Sequence, residues 1–204
     1  MKVLLINGSP HSRGNTYIAL SEVAKELEKE GIEAQIISIG TRPVRGCIAC
    51  RKCKETGRCV FNDELYASIR DQLESIDALI VGSPVYYGGP NGSLCALLDR
   101  VFFSGNQALA YKPGASVVVC RRGGASASFD RLNKYFTINC MPVVSSVYWN
   151  SVHGREIGEV EQDAEGLLTM RVLARNMAWL LRSIKQGGVE HSPEEPRVFT
   201  HFIR

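Results

Sequence analysis

The chain has almost no imbalance of charge: 24 Lys and Arg stand against 21 Asp and Glu, for a net +3. That excludes the concentrated basic face with which strongly basic domains hold nucleic acid. No apolar run approaches the ~18 residues that cross a bilayer, and the N-terminus enters a strand-like stretch without a signal-peptide apolar region or cleavage site. No membrane partner is expected, and the cytoplasm is the expected compartment. Neither G-x-x-x-x-G-K-S/T nor G-x-G-x-x-G occurs, which disfavours an ATP P-loop and a dinucleotide fingerprint. Repeats and low-complexity segments are absent too. With 204 residues the chain is long enough for one sizeable core and short for two.

What is present alternates. Apolar runs at 2–7, 78–81, 116–120 and 142–147, with a more alternating one at 34–39, read as five strands, the first with the continuous branched pattern of a strand buried on both faces. Between them lie helical periodicities at 16–30, from Asp63 to residue 73, through Leu94, Leu97, Leu98, Val101 and Phe102, and at 129–136, with a long one from about 160 to 186. This predicts an α/β fold, a doubly wound five-stranded parallel sheet with helices on both faces and right-handed crossovers. Ligands of such sheets sit beyond the carboxyl ends of the strands. Residues 1–186 form the expected domain, residues 40–62 an insertion, and residues 187–204 a tail.

Three loops fall at that end. Gly8 to Thr16 runs into a helix start, where free backbone N–H groups and the positive helix end suit a terminal phosphate. Ser9, Thr16 and Arg13 are added donors, and His11 can donate as well; an ordinary capped βα turn has the same composition. The second loop, 82–92, combines Tyr86 and Tyr87 with four glycines and two prolines, which lets backbone approach a flat ligand. The third places Arg121, Arg122, Gly123 and Gly124 at the same end. Beside a flavin ring, such positive charge would stabilise the reduced anion.

Seven cysteines, an odd number, do not form a secreted disulfide framework. Four of them, Cys47, Cys50, Cys53 and Cys59, are spaced C-x2-C-x2-C-x5-C in a loop rich in Arg and Lys. They read as ligands of a [4Fe–4S] cluster. Zinc, redox-active thiols and a loop kept for shape without metal remain open. Cys95, Cys120 and Cys140 carry no assigned role. His153 either lines a substrate pocket or is turn material.

Taken together, Gly8-Ser9-Pro10 with Gly14-Asn15-Thr16, and Gly-Ser-Pro-Val-Tyr-Tyr at 82–87, resemble the flavodoxin-like NADPH-dependent FMN reductases. The cysteine run is similar to that of their iron–sulfur flavoprotein branch. The resemblance implies strand order 2-1-3-4-5 and FMN as cofactor. It also implies a phosphate held by Ser9, Arg13, Asn15 and Thr16, and an isoalloxazine against Pro84, Val85, Tyr86, Tyr87 and Gly88. A homodimer or homotetramer is implied as well, with Val198, Phe199, Phe202 and Ile203 of the tail as interface candidates.

The expected function is an FMN-dependent oxidoreductase passing electrons from NAD(P)H to a small-molecule acceptor, a quinone or flavin, by ping-pong hydride transfer. With one nucleotide-type site, NAD(P)H binds transiently over the flavin, and the cations of 42–58 would suit a 2′-phosphate if that loop reaches it. Two alternatives stand beside this: an iron–sulfur electron carrier fed by ferredoxin, and a flavin-binding redox sensor. Hydride transfer needs no protein acid or base, so no catalytic residue is assigned.

Overall fold

A computed structural model describes residues 1–188 and Thr200. Five parallel strands make the main sheet: β1 (Lys2–Asn7), β2 (Glu33–Ser38), β3 (Ala78–Tyr86), β5 (Gly114–Cys120) and β6 (Ser151–His153). A two-residue strand, β4 (Gly89–Pro90), turns back antiparallel on β3. The order is β2-β1-β3-β5-β6, the expected flavodoxin-like order with β4 inserted into the numbering.

Side chains alternate between two cores, as strands buried on both faces require. Val3 and Leu5 of β1, Ala78 and Ile80 of β3, and Val117 of β5 pack against α1 (Asn15–Lys29) and α6 (Ala164–Gly187). Leu4, Ile6, Leu79, Val81 and Val118 pack the other way, against α3 (Glu64–Arg70), α4 (Gly92–Leu109) and α5 (Ala125–Thr137). Burying one such side chain contributes about 1.5–3 kcal/mol. β2 is only half-buried, as its mixed pattern implied for an edge. The remaining helix, α2 (Cys53–Thr56), is a single turn inside the cysteine loop.

Three expectations need correction. β3 does not stop at residue 81 but runs through Gly82-Ser83-Pro84 to Tyr86. β1 ends opposite Gly82, so Pro84 faces a neighbour on one side only, where a residue without an N–H is tolerated. The fifth strand is not 142–147: only Val143 bridges Gly114, and the chain leaves the sheet before returning as β6. The last helix begins at Ala164, after a short 3-10 turn at Glu159–Gln162, because the Asp163 carboxylate accepts from Gly166 N and caps it. The tail residues named as an interface lie outside the described residues.

Candidate functional site

The loops after β1, β3 and β5 meet at the carboxyl pole, and backbone approaches between glycines bring them together. Gly8 N donates to Gly82 O at 2.8 Å. A β-carbon at position 8 would stand 2.4 Å from Leu94 Cδ2 and 2.7 Å from Gly82 O. Tyr87 (φ 50°) and Gly88 (φ 76°) form the tip of the β3–β4 hairpin, the two left-handed residues of a type I′ turn. Gly124, at φ 91°, closes on that tip: a β-carbon there would lie 2.8 Å from Gly88 Cα and from Val85 Cγ1.

In the first loop, buried Asn7 shapes the turn, its Oδ1 accepting from Ser9 N at 3.1 Å, while Ser9 Oγ accepts from His11 N. Ser9 therefore keeps its hydroxyl proton free to donate. α1 starts after Gly14 with no side-chain cap, so its first N–H groups and positive end are open to an anion. Thr16 is buried, and its hydroxyl forms no hydrogen bond among the described residues. His11 and Arg13 are exposed at the loop tip. Asn15 is engaged elsewhere: its Nδ2 donates to Glu156 O, and its Oδ1 accepts from Gly158 N, both at 2.8 Å. Any anion contact of Asn15 is then left to its backbone N–H.

Around the second loop, Pro84 and Val85 are half-buried, Gly88 is exposed, and Tyr86 and Tyr87 project into solvent, Tyr87 entirely. Arg121, Arg122 and Gly123 are exposed beside them, and neither arginine has an ion-pair partner among the described residues. This pole therefore offers an uncapped helix start, two hydroxyl donors, free cations and a backbone ledge. Those features fit a flat, anionic nucleotide such as FMN. His153 lies at the end of β6 opposite Cys120, its Nδ1 3.5 Å from Asp163 Oδ2.

The four loop cysteines converge. With Ile48, Arg51, Val60, Arg100 and Phe103 they line one cavity against α4. Ala49 (φ 54°) and Arg51 (φ 61°) flank Cys50 in left-handed conformations, which ordinary side chains adopt only when the surroundings hold them there. Burial raises the Cys53 thiol above its usual pKa, and the nearby Cys47, Cys59 and Cys50 add to the rise. Among the described residues no group of three or more His, Cys, Asp or Glu is arranged to hold a metal ion. What the four thiols share is the lining of this one cavity.

Two residues that sequence reasoning missed build this cavity. Tyr66, fully buried, accepts from Cys59 N at 2.9 Å and pairs with Ser104 Oγ at 2.7 Å. Arg100, 1% exposed, reaches the Arg45 and Phe61 carbonyls and Asp63. Burial works against its charge, but Cys59 and Asp63 hold its pKa up. The signal for Arg100 was its place between Leu97 and Val101 on an apolar stripe. Several other cations near the loop are neutralised by acids distant in sequence, Arg42 by Glu64 and Arg58 by Asp71; Arg51 and Lys54 have no such partner among the described residues.

Fold and topology together define a flavodoxin-like protein, with three loops gathered at the carboxyl end of its sheet. Residues 1–156 match the family model of the NADPH-dependent FMN reductases, and the chain belongs to that family of flavin-dependent oxidoreductases. It is 34% identical over 195 residues to an iron–sulfur flavoprotein of Methanocaldococcus jannaschii, covering 91% of this chain and 100% of that one. An iron–sulfur flavoprotein of Archaeoglobus fulgidus is 35% identical over 151 residues, 72% of this chain and 74% of the relative. Among solved structures, a flavodoxin from the domain Archaea superposes with TM-score 0.61 at 14% identity, covering 89% of this chain and 99% of that one. No helix among the described residues is long and apolar enough to cross a membrane.

Proposed function

We propose that the protein binds FMN at the carboxyl pole and passes electrons from NAD(P)H to a small-molecule acceptor, a quinone or flavin. The observation that carries this is the uncapped start of α1, with the Ser9 and Thr16 hydroxyls beside it, at the same end of the sheet as the Gly88–Gly124 ledge. Ser9, Thr16, Arg13 and the first N–H groups of α1 hold the phosphate, with His11 at the rim. Pro84 to Gly88 form the ledge for the ring, and Arg122, Gly123 and Gly124 supply donors and positive charge along its edge. Bound there, FMN supplies hydride chemistry on one exposed face, used in turn by nicotinamide and acceptor. Tyr87, wholly exposed at the hairpin tip, borders the entrance. Residues 1–186 act as one unit in this reading, at work in the cytoplasm and in a homo-oligomer.

The cysteine cavity supports a second element. Four thiols lining one cavity, two left-handed residues flanking Cys50 and a buried cation with an unused donor support a [4Fe–4S] cluster. With it the protein would also exchange single electrons with a ferredoxin-like partner. Anaerobic reconstitution with iron and sulfide, followed by metal and sulfide analysis, tests the cluster; addition of NADPH or NADH tests the reductase. The expected result is about four irons per chain and a bleached flavin. A flavin that stays oxidised with both nicotinamides yet reduces with ferredoxin would reject the reductase reading.

A further inference from the structure

Arg100 is a cation in a place that ordinarily excludes one. It lies on the apolar face of α4, 1% exposed, where an unpaired charge is costly. Its Nη1 donates to Arg45 O at 3.3 Å, and its Nη2 donates to Phe61 O and Asp63 Oδ2. The guanidinium lies 4.8 Å from the centroid of the Tyr66 ring. The two carbonyls stand on either side of the cysteine run, so this one side chain ties both ends of the loop to α4. Its Nε–H is buried and has no partner among the described residues. A buried, unpaired donor on a charged group is costly, and this one belongs to a residue that lines the cavity of the four thiols.

We propose that Arg100 is the positioning residue of the cysteine cavity, its Nε–H held for a sulfur acceptor of an iron–sulfur cluster carried by Cys47, Cys50, Cys53 and Cys59, and that it sets the cluster's reduction potential. This rests on the cluster reading above. Donor hydrogen bonds and positive charge beside cluster sulfur favour the more negative, reduced state. The step concerned is the gain of one electron from a ferredoxin-type donor, and no bond forms or breaks. Asp63 opposes the effect, since its carboxylate neutralises the same guanidinium.

The test is a spectroelectrochemical titration of the full chain, loaded with FMN and reconstituted anaerobically with iron and sulfide. Arg100→Gln is expected to make the cluster harder to reduce, changing the ratio of oxidised to reduced protein at the wild-type midpoint at least tenfold, or ~59 mV for one electron. Asp63→Asn keeps a side chain able to cap α3 but removes the negative charge, so its midpoint moves the opposite way. The FMN midpoint stays unchanged in both and monitors the fold. Cluster potentials equal to wild type, or displaced in the same direction by both substitutions, would overturn the assignment. Should Arg100→Gln take up no iron, Asp63→Asn decides alone: a raised midpoint supports the assignment, and an unchanged or lower one overturns it. Wild-type protein that takes up no iron defeats the cluster reading and this assignment with it.

Discussion

The Asn15 side chain reaches across 143 residues of sequence to accept from Gly158 N at 2.8 Å, while its amide donates to Glu156 O. The first turn of α1 is thereby fastened to the segment after β6, and Gly154 fits beneath it, where a β-carbon would come within 3.2 Å of Asn15 Nδ2. Asn15→Ala removes both bonds. About 1–2 kcal/mol of stability should go with them, and hydrogen exchange should quicken at the amides of 154–158. Unchanged exchange there would show that the clamp is dispensable.

Gly124→Ala should be worse than an ordinary surface substitution. It forces a side chain into φ 91° and into the Gly88 backbone, so a loss of roughly 1–3 kcal/mol is expected, along with weaker flavin retention. Thermal melts and flavin content after gel filtration measure the two effects separately.

Ser9→Ala with Thr16→Ala leaves the helix start intact but removes two hydroxyl donors. Hydrogen bonds to a charged group contribute about 1.5–3 kcal/mol each, so FMN affinity should fall at least tenfold in a fluorescence titration while the melting temperature of the apoprotein changes little. Equal affinity would mean that the phosphate is held elsewhere.

Acid should weaken the seam between α1 and α6. Glu26, 4% exposed, is paired with Lys29 at 2.8 Å and Arg175 at 2.7 Å, and these partners, Lys29 first, hold its carboxyl below the usual value. A group depressed in the folded state stabilises fully above its unfolded pKa of about 4.3, and that contribution is lost as pH falls through the folded value. Glu26→Gln should flatten the acid limb of a urea-stability profile. Parallel losses in variant and wild type would assign acid sensitivity to other groups.

Much of the fold was legible because buried parallel strands spell themselves out: Val3 to Ile6 and Ala78 to Val81 have no other comfortable environment. Ser151-Val152-His153 was not, since three residues carry no periodicity and only the free edge of β5 makes them a strand. The apolar run at 142–147 misled for the converse reason: Val144 is buried by packing near α6 rather than by a ladder. At the pole, glycines in the loops announced the close backbone approach, yet the commitment of Asn15 to residues 156 and 158 depends on a contact no local pattern encodes. The cysteine spacing pointed to one cavity, while the surrounding charge could not be read locally, because Glu64 and Asp71 arrive from α3 and its end to neutralise Arg42 and Arg58.

Helix α4 begins beside the hairpin, capped by Asn91, and carries Arg100 nine residues further on. At about 1.5 Å per residue, that is a rigid interval of about 14 Å. The cysteine loop can therefore lengthen or shorten among descendants of this chain without changing the spacing between its cavity and the pole. One residue inserted into α4 ahead of Arg100, by contrast, would swing that side chain through about 100° and uncouple both ends of the loop at once. Tolerance to insertion should thus divide sharply between loop and helix, a contrast that a library of single-codon insertions would expose.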